Sequence, residues 1–385
     1  MLVSERPTEP IPVPPAPSRR RNRLFMAAAA AVVLGAVALV LLVMSGGHAR
    51  SSVSSPSESG SSATAAARSF LRTYVDPDGR VVRRDQGGDT VSEGQAYALL
   101  LAEAAGERDT FARIWSWTRS HLQEPNGLFA FRANPDGTVA DPQPASDADL
   151  LIAWALVRAG GPQAADYHRE GISIANAVLA HETARRGDTL MLAAGPWATG
   201  EPVTLDPSYW APAAFEQLAQ FTGDIRWRDL DNGTIRLSTE LTSDGQALPP
   251  DWARVDKTTP VPTAAPNQSS RFIQYGLDAQ RLPVWLATSC DPRGPRLAAR
   301  LDPLLLARED ALALTPDGQI IDQQTNATPV VGAAAAAQAA GNDARRDSLL
   351  AEATRLNQQH PTYYGSAWLA LGRTLLTTDL LGGCR

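Results

Sequence analysis

The chain has 385 residues and a formal charge of −6, but five arginines and two glutamates fall before position 24, which leaves 30 basic and 39 acidic residues beyond it. An acidic body argues against a nucleic-acid partner, because such binders concentrate positive charge on one face. Lys257 is the only lysine, and five scattered histidines show no paired spacing with one another or with Cys290 and Cys384, so neither a lysine-built phosphate cradle nor a zinc site is expected, and no cofactor is called for.

Residues 1–23 form a proline- and arginine-rich leader, followed at 24–44 by twenty-one residues without a charge. That length matches the ~30 Å hydrocarbon core of a bilayer at helical rise. Arginines at 19, 20, 21 and 23 precede the run and only Arg50 follows closely, so the positive-inside rule places the N-terminus in the cytoplasm and the body outside. The expectation is an uncleaved signal anchor that passes once through the cytoplasmic membrane. The alternative is secretion after cleavage near Gly47-His48-Ala49. Residues 45–66 read as a Ser/Ala-rich linker, and 67–385 as one folded domain. A bridge between Cys290 and Cys384 would persist on the exported side, but the sequence leaves their pairing open.

From there the pattern is helical, with apolar residues at three- and four-residue spacing. Helices are predicted at 66–74, 92–105, 109–122, 147–159, 166–182, 208–222, 232–242, 270–288, 296–308, 329–340, 343–358 and 363–376. Turn clusters such as Asp76-Pro77-Asp78-Gly79 and Thr315-Pro316-Asp317-Gly318 separate them. About twelve helices in sequential hairpins fit an all-α toroid of six hairpins, although periodicity alone does not separate a closed ring from an open solenoid.

Three segments could carry chemistry. Asp89-Thr90-Val91-Ser92-Glu93-Gly94-Gln95 opens a helix, and Thr90–Glu93 or Ser92–Gln95 would serve equally as a capping box. Gly94 tells against that ordinary reading, since a glycine in the first turn implies that something approaches the backbone there. Ser146-Asp147-Ala148-Asp149 opens another helix, where capping again suffices; two carboxylates two apart do not share a face, so at most one points into a cleft. In Tyr275-Gly276-Leu277-Asp278-Ala279-Gln280-Arg281-Leu282-Pro283, Asp278 and Arg281 would form an i,i+3 ion pair near a kink made by the proline. Trp115, Trp154 and Trp285 read as core. Trp197, Tyr209, Trp210, Trp252, Tyr275, Tyr363 and Tyr364 lie beside polar residues in apparent loops, where rings of this kind can stack on the apolar face of a sugar.

Taken in order, Asp-Thr-Val-Ser-Glu-Gly-Gln-x-Tyr (89–97), Trp-x-Trp (115–117), Ala-Ser-Asp-Ala-Asp (145–149), Pro-Ser-Tyr-Trp-x-Pro (207–212), Pro-Asp-Trp (250–252) and Tyr-x-x-Asp-Ala-x-Arg-x-Pro (275–283) resemble the family 8 glycoside hydrolases. The resemblance covers roughly 70 to 290. It implies an (α/α)6 barrel with a long cleft at one end and inverting hydrolysis of β-1,4-glucan, with xylan or chitosan as the alternative substrate. It also implies roles: Glu93 as general acid, Asp147 as the carboxylate that holds the distorted sugar, Asp278 as base, and Gln95, Tyr209, Trp210, Trp252, Tyr275 and Arg281 as substrate-binding positions. An inverting enzyme needs one protonated and one ionised carboxyl about 6.5–9.5 Å apart, and spacings of 54 and 131 residues between the three require a closed fold to assemble them. Ala96 and Ala98 stand where glycines are common in the family, and Val284-Trp285-Leu286 replaces a frequent Trp-Arg. The latter resembles endoglucanases associated with bacterial cellulose synthesis, so a polysaccharide synthase or export machinery is an expected partner. A glycan-binding module without catalysis and a polysaccharide lyase are the competing readings; the acidic body speaks against the lyase.

Overall fold

Two kinds of helix alternate along the chain, and the alternation builds the fold. The computed structural model describes residues 56–266 and 272–382. Over these residues run α1 (Pro56–Tyr74), α2 (Ser92–Ala105), α3 (Arg108–Leu122), α4 (Ser146–Arg158), α5 (Ala164–His181), α6 (Pro212–Thr222), α7 (Arg226–Leu241), α8 (Leu282–Ala287), α9 (Arg293–Leu305), α10 (Ala327–Ala339), α11 (Asp343–Gln359) and α12 (Tyr363–Thr377). The even-numbered helices other than α6, in which six of eleven residues are buried, are apolar nearly all round: twelve of fourteen residues are buried in α2 and twelve of thirteen in α4. A helix of that composition must be covered on every side. The odd-numbered helices are amphipathic. In α3, for example, Phe111, Ile114, Trp115, Trp117, Thr118 and Leu122 form a single buried stripe.

The even helices pack in a cycle, α2 on α4, then α6, α8, α10, α12 and back to α2, while α1 spans the seam between α12 and α2. The ring is therefore closed, an (α/α)6 barrel and not a solenoid. Two or three residues join α2 to α3, α6 to α7 and α10 to α11, so these pairs are antiparallel hairpins. Apart from the three residues between α11 and α12, the connections at the other end are long, and all ten short strands among the described residues lie in them, including the antiparallel three-stranded sheets Thr90–Val91/Arg132–Ala133/Val139–Asp141 and Val203–Leu205/Trp252–Val255/Pro260–Thr263. The inner helices thus aim their N-termini at the end that carries the long loops, where function concentrates on a rigid scaffold.

Two predicted boundaries change most. The first helix begins at Pro56, inside the expected linker, because Ala63, Ala67, Phe70, Leu71 and Tyr74 form a continuous buried stripe. The helix expected at 270–288 is confined to a 3-10 turn at Ala279–Arg281 and α8, with Tyr275 pairing by its backbone to Leu314. Pro283 sits in the first turn of α8, where its missing donor is harmless. Trp115, Trp154 and Trp285 are buried as read. No helix among the described residues is long and apolar enough to cross a membrane; the anchor expected at 24–44 lies outside them. Cys290 is disulfide-bonded, and Cys384, the only other cysteine, also lies outside.

Candidate active site

Two long loops, those before α6 and α8, and the starts of α2 and α4 converge on one guanidinium. Arg281, 1 % exposed, donates from Nη1 to Asp147 Oδ2 and to the Tyr97 hydroxyl, both at 2.9 Å, and from Nη2 to Ser208 Oγ at 2.5 Å. Asp278 Oδ1 lies 3.3 Å from Nη2, Asp206 Oδ2 3.7 Å from Nη2 and Glu93 Oε2 3.9 Å from Nη1. The Tyr209 ring packs against the same group, 5.2 Å from its central carbon to the ring centre. A buried cation surrounded by four carboxyls holds them against mutual repulsion, and its planar fork fixes their directions.

Glu93 is the second residue of α2. Neither capping box forms: no side chain caps this helix, Thr90 Oγ1 donates to Val81 O and Ser92 Oγ is buried without a hydrogen-bond partner. The glycine after Glu93 has the reason its position implied. A Cβ at Gly94 would stand 2.2 Å from the Tyr363 hydroxyl, which belongs to the first residue of α12 and seals α2 against the last hairpin. Tyr97 lies one turn beyond Glu93 on the same face, which is why both reach Arg281.

Burial, reinforced by the charge of Asp147 and opposed by Arg281, raises the Glu93 carboxyl to about 7. Asp147 is raised by burial and drawn back by Arg281. Asp206 is pushed well above the usual carboxylate range by burial and then by the charge of Asp278. Asp278 is the most open of the four, its side chain 36 % exposed, beside a pocket of about 420 Å³ lined by Trp252, Thr263, Phe272, Gln274 and Ile321. Glu93 and Asp278 touch opposite nitrogens of one planar fork, at 3.9 and 3.3 Å, so they stand no farther apart than about 10 Å. A carboxyl that holds a proton near neutrality, opposite an accessible second one, is the arrangement of an acid–base pair. A cavity of similar volume between α1, α11 and α12 contains none of the candidate residues. Among the described residues no group of His, Cys, Asp and Glu could hold a metal ion.

The other predicted positions divide. Tyr209 and Trp252 are half-buried, and with the 43 % exposed Trp197 their rings form a strip with centroids 6.2 and 6.4 Å apart. Gln95, Trp210 and Tyr275 require correction as substrate-binding residues, since each is buried in the scaffold. Gln95 is two residues from Glu93, hence about 200° round the helix; its carbonyl accepts from Val81 N at 2.6 Å and its amide donates to Thr118 Oγ1 at 2.7 Å. Trp210 Nε1 donates to Leu192 O, and Tyr275 is held by its backbone bridge to Leu314. Arg281 is likewise covered, and acts on the carboxyls instead of presenting itself to a substrate. Asp149 faces away from Arg281, accepting from Phe129 N and paired with Glu182, and burial pushes both carboxyls well up. The sequence reading passed over Asp206, Ser208 and Tyr97. Tyr97 was signalled by its i,i+4 relation to Glu93, and Asp206 and Ser208 by lying at the edge of and within the Pro-Ser-Tyr-Trp block.

Comparison with known proteins identifies the family and the fold. The model of the family described as "Glycosyl hydrolases family 8" matches residues 42–378. A "Probable endoglucanase" of Novacetimonas hansenii is 36 % identical over 222 residues, covering 56 % of this chain and 64 % of that protein. An "Endoglucanase" of Cellulomonas uda is 32 % identical over 241 residues, covering 60 % of this chain and 64 % of that protein. The chain thus spans a little under two thirds of the length of either relative. Among solved structures, the endo-beta-1,4-glucanase CMCax from Acetobacter xylinum superposes with a TM-score of 0.66 at 26 % identity, covering 83 % of this chain and 99 % of that one. A Beta-1,3-1,4-glucanase from Paenibacillus sp. X4, at 19 % identity, shares the fold with a TM-score of 0.75 over 84 % and 93 % of the two chains.

Proposed function

We infer that the chain, which belongs to glycosyl hydrolase family 8, cleaves β-1,4-linked glucan internally with inversion at the anomeric carbon. The observation that carries this reading is the Glu93 carboxyl raised to about 7 within one guanidinium's reach of Asp278. Glu93 gives its proton to the glycosidic oxygen as the bond to the anomeric carbon breaks. Asp278 takes a proton from the water that attacks that carbon from the opposite face. Asp147 acts on Glu93 through its charge, and the resemblance gives it the further part of holding the distorted sugar. Tyr209, Trp252 and Trp197 offer stacking faces along the glucan.

The test is Glu93→Gln assayed on carboxymethylcellulose, with the fold checked by circular dichroism; wild-type activity in that variant would exclude Glu93 as the acid. Proton NMR of the first product from a soluble cello-oligosaccharide should show the α anomer, and a β anomer would exclude inversion. The same reading anchors the enzyme by residues 24–44 with its barrel outside the cytoplasmic membrane, where it trims glucan during synthesis or export beside a synthase or export machinery. Deletion of residues 1–44 should then move the activity from the membrane fraction to the soluble one.

A further inference from the structure

We propose that Asp251 is a positioning residue for the base, clamping the segment that carries Asp278 from both sides. The proposal rests on the reading of Asp278 as base. Asp251 stands just before the strand Trp252–Val255 and is 8 % exposed. Its Oδ1 accepts from the amides of Gly276 at 2.8 Å and Ala279 at 2.9 Å, and its Oδ2 from Gln274 Nε2 at 2.9 Å; its own amide donates to Gln274 O at 2.8 Å. The two amides bracket Leu277 and Asp278.

That segment needs an outside clamp. It precedes α8 as extended chain, one turn closed by Gln280 N on Gly276 O and a single 3-10 turn, so no continuous helical ladder fixes the backbone at Asp278. Its remaining backbone ties are the Tyr275–Leu314 bridge, the bond from Gln280 N to Gly276 O at 3.0 Å, the Tyr364 hydroxyl on Leu277 O, and the bonds from Arg281 N and Nε to Asp278 O. The approach of Asp251 also dictates the residue at 276. A Cβ there would lie 2.5 Å from Asp251 Oδ2 and 2.6 Å from Gln274 Nε2. Burial, then the charge of Asp278, raises the Asp251 carboxyl to about 7. A second carboxyl beside the base is a cost that an arrangement serving the fold alone would avoid.

The experiment compares carboxymethylcellulose with β-cellobiosyl fluoride, whose fluoride leaves without a proton and so needs only the base. Asp251→Ala should lower kcat on both substrates by about 100-fold, with KM within about threefold. Asp251→Asn keeps an acceptor for both amides and should return kcat to within about tenfold of wild type. Gly276→Ala should fall like Asp251→Ala, and carries the test if the latter fails to fold. Glu93→Gln, in contrast, should lose carboxymethylcellulose cleavage but retain fluoride hydrolysis. Wild-type kcat on the fluoride for either Asp251→Ala or Gly276→Ala, or an Asp251→Asn as inactive as the alanine variant, would overturn the proposal. Asp278→Asn separates the two failures. If it still hydrolyses the fluoride, the base assignment falls and the clamp with it; if it is inactive while folded Asp251→Ala is not, only the clamp falls.

Discussion

Glu93→Gln should make the protein more stable at alkaline pH while removing its activity. The Glu93 side chain is 17 % exposed, and burial together with the charge of Asp147 raises its carboxyl from 4.5 to about 7. A carboxyl raised by folding binds more protons folded than unfolded. Its contribution is therefore fully present below the unfolded value and is lost as pH rises through about 7. At 1.36 kcal/mol per unit, the loss above that range is about 3 kcal/mol. Glutamine carries no charge at any pH and escapes it. For a domain of this size Glu93→Gln should raise Tm by roughly 5 °C at pH 8, the gain shrinking to roughly 1–2 °C at pH 5. Thermal scans at the two pH values read the difference directly. In parallel, wild-type kcat/KM on a soluble cello-oligosaccharide should fall as pH rises through about 7, where Glu93 loses the proton it must donate. A Tm gain that is the same at both pH values, or wild-type activity undiminished at pH 9, would refute the assignment of that proton to Glu93.

Removing the negative neighbour in Asp147→Asn should lower the Glu93 pKa, so the alkaline limb of the same profile should move toward acid pH. Arg281→Met should cost about 3–5 kcal/mol at pH 7 by leaving buried carboxyls without their cation, and less at pH 5, where those carboxyls can take protons; urea midpoints at the two pH values check this. Gly94→Ala should destabilise by about 1–3 kcal/mol through its collision with the Tyr363 hydroxyl. The loss should be smaller in a Tyr363→Phe background, an interaction that a double-mutant cycle would expose. Trp252→Ala should raise KM for long cello-oligosaccharides by up to about tenfold, with kcat less affected.

Much of the scaffold was legible because the inner helices announce themselves: α2 and α12 are nearly continuous runs of apolar and small residues with polar starts. The closed ring was not legible from periodicity, since closure is a property of contacts between α12, α1 and α2 and leaves no mark on local spacing. The start of α1 was obscured because small Ser and Ala residues read as a linker, although Ala63 and Ala67 already lie on the stripe of Phe70, Leu71 and Tyr74. The segment before α8 looked helical from its composition, and only the distant Asp251 and Leu314 show why it is not. In the site, Glu93, Asp147 and Asp278 were found as carboxyls within quoted blocks. Gln95, Trp210 and Tyr275 were misplaced because membership of a block says nothing about the direction of a side chain. The 200° turn between positions two apart would have separated Gln95 from Glu93, as it separates Asp149 from Asp147.

Arg281 gathers side chains from four separate stretches of chain, at 93, 147, 206 and 278, and none of these stretches can satisfy it alone. Until α2, α4 and the loops before α6 and α8 have all docked, that cation has no adequate counter-charge and the Glu93 carboxyl is not yet buried beside Asp147. The proposed acid is therefore complete only in the assembled barrel, and a partly folded chain lacks it.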